Sequence, residues 1–493
     1  MMTAPLNEQE KALLSQVEPW ISQHKEQLIG ELAQWVAIPS ISRADLAKPG
    51  APFGPECVKV LDHALNLAKQ AGFRTEEHEG YAGSIIFGDH AQDIGLVSHL
   101  DVVPAGENWT YPPFSLTRRD DFLIGRGVSD NKGPAILDLY LLKLIRDLKI
   151  PLHHNLRIIY GLAEETNMAD LRWFAEKGPV PRLSIVTDGK FPVNFAQKGQ
   201  ISFTLEVKEA GVLAGLSAGN ASNSVPAHAE ILLDIALTTA LEQKIAALQG
   251  PATGRISARK TDKGVLLIAK GKAGHAAFPD PTLNAAPVLL SALVQLELLS
   301  TREHQLASSL ARLFVSPFGE GANLALEDTP SGKLTLNGGY WQSSTENTLL
   351  IHSDIRYPVT TKGPEILNTL QRQLAEWGGD IVIQAALRDV PPFYWPESDP
   401  VLRLLQDTWN QITERHDAPY SMGGVTHSKV LPRAITFGPG YARTAENAPD
   451  FLPEGHGLPH GADETLHLPT LLNALPVYLL ALVRLDRHLA EQS

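Results

Sequence analysis

The chain has 493 residues, which is more than one ordinary hydrophobic core accommodates, so its length predicts two or three domains. Its 42 basic and 55 acidic residues give a net charge of −13, and no basic cluster could hold a phosphate backbone, which argues against nucleic-acid binding. The single cysteine, Cys57, excludes an intrachain disulfide framework and a cysteine-rich zinc finger.

The N-terminal sequence has no basic stretch followed by an apolar segment, so we expect no secretory signal. No run approaches the ~18 apolar residues that a membrane span needs. The densest candidate, residues 137–148, is interrupted by charged side chains. These features predict a cytoplasmic protein without a membrane segment.

The first part of the chain alternates between helical and strand patterns. Apolar residues at helical spacing predict helices at 7–37, with a break or kink at Pro19, at 56–71 and at 134–148. Short apolar runs predict buried strands at 94–97, 156–160 and 183–186. Alternating strands and helices are typical of an α/β fold with a mostly parallel sheet.

The pattern changes near residue 199. Apolar and polar residues alternate over 201–207, as in an antiparallel strand with one solvated face. Further helices are predicted at 228–248 and 286–299, and further strands at 264–270 and 348–356. This order predicts an α+β domain over 199–389, inserted into a first domain formed by 1–198 and 390–493. The first domain resumes with a helix at 400–415, a strand at 434–437 and a long apolar helix at 469–489.

Histidine or carboxylate residues follow each of the three predicted buried strands. His99 and Asp101 follow the first strand, the pair Glu164 and Glu165 follows the second, and Asp188 follows the third. Because ligands gather outside the carboxyl ends of strands in open α/β sheets, we expect these side chains to share one crevice. Each residue alone has an ordinary explanation, such as a solvated turn. Solvation does not explain why all three successive strands end in histidine or carboxylate residues.

Two further residues belong with this set. Asp130 lies in a glycine-punctuated loop just before a predicted helix, and His460 lies ahead of a helix near the C-terminus. Unpaired carboxylates in one crevice raise one another's pKa, and one or two divalent cations would remove that cost. Histidine and carboxylate ligands without cysteine suit zinc, with manganese or cobalt as alternatives.

The motifs SHLDVVP, GVSDNKGP, AEET, TDG and HGADE, in this order and spacing, resemble the di-zinc metallopeptidases of family twenty. That family includes aminoacylases, carnosinase-type dipeptidases, glutamate carboxypeptidases and deacylases. The length and the stretches GKAGHAAFPDPTLNA and PPFYWPESDPVL are most similar to its PepV-type bacterial Xaa-dipeptidases. The resemblance covers nearly the whole chain and implies a catalytic di-metal domain with an inserted lid domain.

The resemblance also implies roles for individual residues. Asp130 would bridge two divalent metal ions, with His99 and Asp188 completing one site and Glu165 and His460 the other. Glu164 would be the general base that takes a proton from a metal-bridging water, and Asp101 would orient His99. Spacing alone does not separate the roles of Glu164 and Glu165, and His456 is the alternative to His460.

The predicted lid carries three further candidates. His275 matches the lid histidine that helps to stabilise the tetrahedral oxyanion, and Asn223 and Arg356 match positions that hold the oxyanion or the substrate carboxylate. Gly424 and Thr426 belong to the loop GGVTHSK, where relatives carry a sequence like GGTYAR, and they are expected to contact substrate. Lysine in place of the arginine is a point charge rather than a planar fork, so recognition of the substrate terminus is expected to differ.

These residues predict a metallopeptidase that hydrolyses dipeptides or short peptides. Asp188 favours this activity, since relatives with glutamate at this position tend towards carboxypeptidase or deacylase activity. The alternatives are an N-acyl amino acid deacylase with the same metals and an inactive binding protein on the same scaffold. The insert has two strand-helix-strand units, which predicts a monomer that supplies its own lid histidine, with a homodimer as the alternative.

Overall fold

The computed structural model describes residues 5–345, 347–385 and 387–492. The chain divides into two compact units. The first unit contains the chain up to Phe195, the segment Trp395–Tyr420 and the chain from Val425 onward. The second unit contains Ala196–Tyr394 together with Ser421–Gly424, so a segment outside the predicted insert groups with it.

A mixed sheet forms the centre of the first unit. Its four middle strands are parallel neighbours, in the order Asn155–Gly161, Asp93–His99, Leu183–Val186 and Ala434–Phe437. Antiparallel strands flank them: Arg74–His78 and Ala82–Phe87 on one side, Val193–Gln197 on the other. The middle strands are buried along almost their whole length, as a parallel sheet requires. The predicted parallel sheet is confirmed at its centre, and the antiparallel edges were not predicted.

Helices supply the rest of the first unit. They are Glu8–Leu14, Val17–Val36, Pro55–Gln70, Lys132–Asp147, Ala169–Lys177, Pro400–Thr413, Leu468–Leu472 and Ala474–Ala490, with short 3-10 turns at Ala44–Leu46 and His427–Lys429. Short strands complete it: Thr117–Arg119 and Phe122–Ile124 with Thr465–His467, and Gly189–Lys190 with Pro439–Gly440. The predicted break in the N-terminal helix lies just before Val17, so Pro19 occupies the first turn of the second helix, where its missing N–H costs little.

The C-terminal helix is both long and apolar. Among the described residues it alone, Leu468–Ala490, is long and apolar enough to cross a membrane by length and composition, with a mean hydropathy of 1.6. The sequence predicted a long apolar helix at 469–489 but not a membrane span, because Asn473 and Arg484 interrupt the apolar run. In its most apolar stretch, 72% is buried, as in the core helix of a folded protein.

An antiparallel sheet forms the second unit, and helices pack on it around one hydrophobic core. Its strands are Gly199–Lys208, Ser217–Ala218, His228–Leu233, Ile256–Thr261, Gly264–Lys270, Thr335–Thr345, Thr348–Tyr357, Ile381–Ile383 and Arg388–Val390. Its helices are Thr239–Ala246, Ala285–Leu296, Thr301–Phe314 and Gly363–Glu376, with 3-10 turns at Gly211–Gly215, Gly250–Ala252 and Glu320–Ala322. Two-stranded pairs join Ser224–Val225 to Gly274–His275 and Glu327–Asp328 to Gly332–Lys333. Phe393–Tyr394 and Tyr420–Met422 pair with Val193–Gln197.

One predicted helix in this unit is wrong. Residues 228–248 were expected to be helical, but His228–Leu233 is a strand and only Thr239–Ala246 is a helix. Burial alternates along the strand, with Ala229, Ile231 and Leu233 facing the core. Because apolar residues continue from the strand into the helix, the change in their spacing from two to 3.6 residues is not visible in the sequence. The α/β fold with an inserted α+β unit is nevertheless confirmed.

Candidate metal centre

The carboxyl ends of three neighbouring parallel strands bring the acidic motifs together. His99 is the last residue of Asp93–His99, and it lies beside Gly161, the last residue of the next strand. Glu164 and Glu165 follow that strand after two residues, and Asp188 follows the third strand, whose Val186 lies beside Val97. Parallel register therefore places side chains from distant segments at one edge of the sheet.

Two groups of candidate ligands share Asp130. The first contains His99, Asp130 and Asp188, and the second contains Asp130, Glu165 and His460. Within each group, one nitrogen or oxygen atom from every residue lies within 4.8 Å of the others. This arrangement brings together all five residues that the resemblance assigned to metal.

The distances show that Asp130 faces both groups. Its Oδ1 lies 3.0 Å from Nε2 of His99, and its Oδ2 lies 3.2 Å from Nε2 of His460. His99 Nε2 is 3.9 Å from Oδ2 of Asp188, and His460 Nε2 is 3.0 Å from Oε2 of Glu165. The two oxygens of one carboxylate therefore point to different histidines, as a bridging ligand would.

The acidic groups of the site are electrostatically unfavourable without a counterion. Burial raises the pKa of Glu164 well above its ordinary value, and the neighbouring carboxylate of Asp188 adds to this. Burial and Asp130 raise the pKa of Glu165 to about 7. Burial and Asp130 likewise raise the pKa of Asp188 to about 6. Cations inserted between these carboxylates would relieve the repulsion.

The pKa values of the two histidines are also raised, but here the cause is the neighbouring carboxylates, which stabilise the charged ring. Hydrogen bonds to Asp130 and Glu165 raise the pKa of His460 to about 10. Burial alone would lower the pKa of His99, but hydrogen bonds to Asp101 and Asp130 raise it well above its ordinary value. Burial would raise the pKa of Asp130, and the hydrogen bonds from both histidines instead lower it. Histidine nitrogens and carboxylate oxygens in such a cluster fit divalent cations such as zinc.

Asp101 connects His99 with the two glutamates. Its carboxylate accepts the backbone N–H groups of Glu164 at 3.2 Å and Glu165 at 3.1 Å. Its backbone oxygen lies 3.0 Å from Nδ1 of His99, and its Oδ1 lies 3.3 Å from the same nitrogen. A proton on Nδ1 leaves Nε2 available as a ligand atom, so this contact selects the useful tautomer. Asp101 has no exposed surface.

Asn131 was not among the predicted site residues. Its Nδ2 donates to the backbone oxygen of Thr187 at 3.1 Å and to Oδ1 of Asp188 at 3.2 Å, while its Oδ1 accepts the N–H of His99 at 3.2 Å. One buried amide therefore ties two strand ends to the loop of Asp130. The only sequence signal was its position directly after Asp130.

A buried ion pair, also missed by the sequence analysis, holds the loop that carries Asp130. Glu464 accepts the N–H groups of Asp130 at 2.9 Å and Ser129 at 2.9 Å, and it pairs with Nη1 of Arg126 at 2.7 Å. Nη2 of Arg126 donates to the backbone oxygens of His460 at 3.3 Å and Gly461 at 3.1 Å. The pair thus links the loop of Asp130 to the segment that carries His460.

The two C-terminal histidines have different surroundings. Nδ1 of His456 lies 2.6 Å from Oδ2 of Asp463, whose Oδ1 accepts the N–H groups of Thr110 and Tyr111. His456 belongs to neither candidate ligand group. Its geometry is that of a support for the loop, whereas His460 contacts Asp130 and Glu165.

The lid candidates lie in the second unit. Ser224 pairs with His275 across two short strands, and the N–H of Ala276 donates to the backbone oxygen of Asn223 at 2.9 Å, so Asn223 and His275 are neighbours. Arg356 donates from Nε to Oδ1 of Asp354 at 2.7 Å and from Nη1 to the backbone oxygen of Gly423 at 2.7 Å. Its guanidinium is therefore already partly engaged.

The last two candidates, in the GGVTHSK loop, differ in exposure. A Cβ added to Gly424 would meet only the tip of Met422, at 3.9 Å, so the space beside this backbone is open. Thr426 belongs to the first unit and is buried, with its hydroxyl 2.8 Å from that of Ser428 and 2.9 Å from that of Thr436.

Known proteins resemble this chain over most of its length. A protein of Staphylococcus aureus (strain bovine RF122 / ET3-1), named as a candidate dipeptidase, is 28% identical over 483 residues, and the alignment covers 94% of this chain and 98% of the relative. The structure of human carnosine dipeptidase 1 has a TM-score of 0.58 at 15% identity and covers 98% of this chain and 100% of its own. A tripeptidase from S. aureus subsp. aureus Mu50 has a TM-score of 0.55 at 13% identity, covering 94% and 98%.

The structural likenesses show the shared fold, and the sequence decides the family. The sequence model described as peptidase family M20/M25/M40 matches residues 95–483, far more than half of the chain. This match confirms the family that the five motifs predicted. Members of this family depend on divalent metal ions, and the two ligand groups around Asp130 fit that requirement. The chain belongs to peptidase family M20/M25/M40 and is a metallopeptidase, an enzyme that hydrolyses peptide bonds.

Proposed function

We propose that this enzyme cleaves dipeptides and other short peptides, and that it does so with two metal ions. His99, Asp130 and Asp188 would hold one ion, and Asp130, Glu165 and His460 the other. Divalent ions in such sites polarise the scissile carbonyl and make water a nucleophile near neutral pH. Zinc suits these ligands best, with manganese and cobalt as alternatives. The observation that carries the proposal is the shared Asp130, whose two oxygens face different histidines.

Glu164 is the general base of the proposed reaction. It belongs to neither ligand group, yet it is the neighbour of Glu165 and its N–H is held by Asp101. Its carboxylate would accept a proton from the attacking water and deliver it to the nitrogen of the leaving amine.

The proposed substrate contacts come from residues of the second unit and from the GGVTHSK loop. Asn223 and His275 would donate hydrogen bonds to the developing oxyanion, and Arg356 would bind the substrate carboxylate. Gly424 and Thr426 are proposed to line the same substrate. The engagement of Arg356 with Asp354 holds the guanidinium in one orientation, which favours recognition of a planar carboxylate.

A substrate panel tests this function. Purified enzyme reconstituted with zinc, manganese or cobalt is assayed against free-amino dipeptides, tripeptides and N-acetyl amino acids, with metal-free enzyme as the control. We expect turnover of dipeptides that a chelator abolishes and added metal restores. Turnover of the acylated compounds alone would make the enzyme a deacylase, and full metal occupancy without hydrolysis of any amide would leave a binding protein.

A further inference from the structure

A buried asparagine in the second unit brackets Asn223. Asn337 lies in the strand Thr335–Thr345 and is 6% exposed. Its Nδ2 donates to the backbone oxygen of Ser222 at 2.9 Å and to that of Ser224 at 2.8 Å. These are the two residues on either side of Asn223, which is itself exposed. One amide group therefore holds both flanks of a lid residue in place.

The network around Asn337 determines which way its amide points. Its Oδ1 accepts a hydrogen bond from Nδ2 of Asn284 at 3.1 Å. Asn284 also donates to the backbone oxygen of Gly338 at 2.9 Å, and its own Oδ1 accepts the N–H of Ala286 at the start of the helix Ala285–Leu296. A reversed Asn337 amide would place its oxygen against two carbonyl oxygens, so only one orientation satisfies the bonds.

The same segment reaches His275. Ser224 pairs with His275, and the backbone oxygen of Asn223 accepts the N–H of Ala276. A displacement of residues 222–224 would therefore move both Asn223 and His275.

The backbone of the strand also approaches this segment closely. A Cβ on Gly339 would lie 2.3 Å from the backbone oxygen of Ser222 and 2.4 Å from that of Ala221. These distances are too short for any side chain, so glycine is required for the contact. Close packing and two hydrogen bonds together leave the Asn223 segment with little freedom.

We propose that Asn337 is a positioning residue for the reaction, which presets Asn223 and His275 to receive the oxyanion. This proposal rests on the proposed roles of those two residues. Asn337 touches no reacting group in this scheme. It acts by fixing the backbone from which both donors project, and such preorganisation matters because a misplacement of about 1 Å can cost ~10²-fold in rate.

The isosteric variant Asn337→Asp removes both N–H donors without changing the size of the side chain. We expect kcat to fall by ~10- to 100-fold, with KM and the metal content close to those of the wild type, since the loss concerns the transition state. Asn347→Asp is the matched control. The exposed Asn347 accepts the N–H of Gly211 through its Oδ1 at 2.8 Å, a role that aspartate keeps, so its kcat should not change.

A double-mutant cycle separates positioning from general destabilisation. In a chain that already carries His275→Ala and Asn223→Ala, the change Asn337→Asp should cost less than ~3-fold, because no donors remain to be positioned. An equal loss in both backgrounds would overturn the proposal, as would wild-type kcat in the single variant. If Asn337→Asp fails to fold, Asn337→Ser takes its place in the same cycle with the same criteria. Wild-type activity of His275→Ala combined with Asn223→Ala would instead refute the proposed lid donors.

Discussion

The carboxylate of Asp170 lies 3.2 Å from Nε2 of His427, and neither side chain has any exposed surface. The same carboxylate accepts the N–H groups of Leu162 at 2.7 Å and Ala163 at 2.9 Å, directly before Glu164. The ring of His427 also meets that of His99 edge to face, with 6.2 Å between the ring centres. A buried pair therefore supports the turn that leads to the proposed base.

Removal of His427 should destabilise the first unit. His427→Ala would leave the carboxylate of Asp170 buried without its partner, and we expect a loss of about 2–4 kcal/mol in the free energy of unfolding. Urea unfolding monitored by circular dichroism measures this loss. His416→Ala, at an exposed histidine, is the control and should change stability little. A loss below about 0.5 kcal/mol for His427→Ala would show that the pair does not stabilise the fold.

Loss of the charge of Glu164 should affect kcat, whereas loss of the charge of Glu165 should affect metal content. Glu164→Gln is expected to keep both metal ions and to lower kcat by ~10²–10⁴-fold, because only the proton transfer is removed. Glu165→Gln should lose metal from one site, since its Oε2 lies beside His460 in the second ligand group. Metal analysis and steady-state kinetics of the two isosteric variants, Glu164→Gln and Glu165→Gln, test these roles. The opposite result would exchange the two roles.

The buried ion pair of Glu464 and Arg126, which holds the loop of Asp130, should affect metal affinity although neither residue is a candidate ligand. Glu464→Gln removes a charge that faces Arg126 and weakens the hydrogen bonds from the N–H groups of Ser129 and Asp130. Support of this kind is typically worth ~10- to 100-fold in metal affinity. Competition with a chelator measures the change, and the exposed Glu454→Gln is the control. Unchanged metal affinity would mean that the loop keeps its shape without the charge of Glu464.

Asp486 provides a pH test away from the metal site. Burial by itself would raise its pKa, but hydrogen bonds from His153 and His154 hold the pKa of this carboxyl below its ordinary value. The folded state thus binds this proton less readily than the unfolded chain. Its stabilising contribution is present above the unfolded pKa of about 3.9 and is lost as the pH falls through the lower folded value.

The corresponding variant is Asp486→Asn. We expect its free energy of unfolding to lie below that of the wild type near about pH 7, and the difference to shrink towards about pH 3. Urea titrations of both proteins at several pH values measure the difference. A difference that stays constant with pH would assign the effect to shape rather than charge.

The predicted monomer is tested by complementation. Glu164→Ala and His275→Ala proteins, each expected to be inactive, are mixed at high concentration. If each chain uses its own lid histidine, no activity returns, and the specific activity of the wild type is independent of dilution. Activity in the mixture would instead show a homodimer in which the histidine acts on a neighbouring subunit.

The sequence by itself determined the type of fold, the family and the set of candidate ligands. Strand periodicity and the residues that follow each strand are local properties, so His99, Glu164, Glu165 and Asp188 could be assigned to strand ends from spacing alone. Parallel register then guarantees that such ends meet. The helix expected at 228–248 failed because a strand and a helix follow one another there without a clear break in apolar residues.

Tertiary structure alone decided which of these groups support the others. Arg126 and Glu464 are 338 residues apart, and nothing local to either indicates a buried ion pair. The sequence also leaves His456 and His460 as alternative ligands. Only the folded chain shows that His456 contacts Asp463, whose carboxylate accepts the N–H groups of Thr110 and Tyr111. Asn337 bonds the residues on either side of Asn223, and Gly339 lets the two backbones approach more closely there than any side chain would allow. Such contacts depend on how distant segments pack, and packing is a property of the folded chain rather than of any one segment.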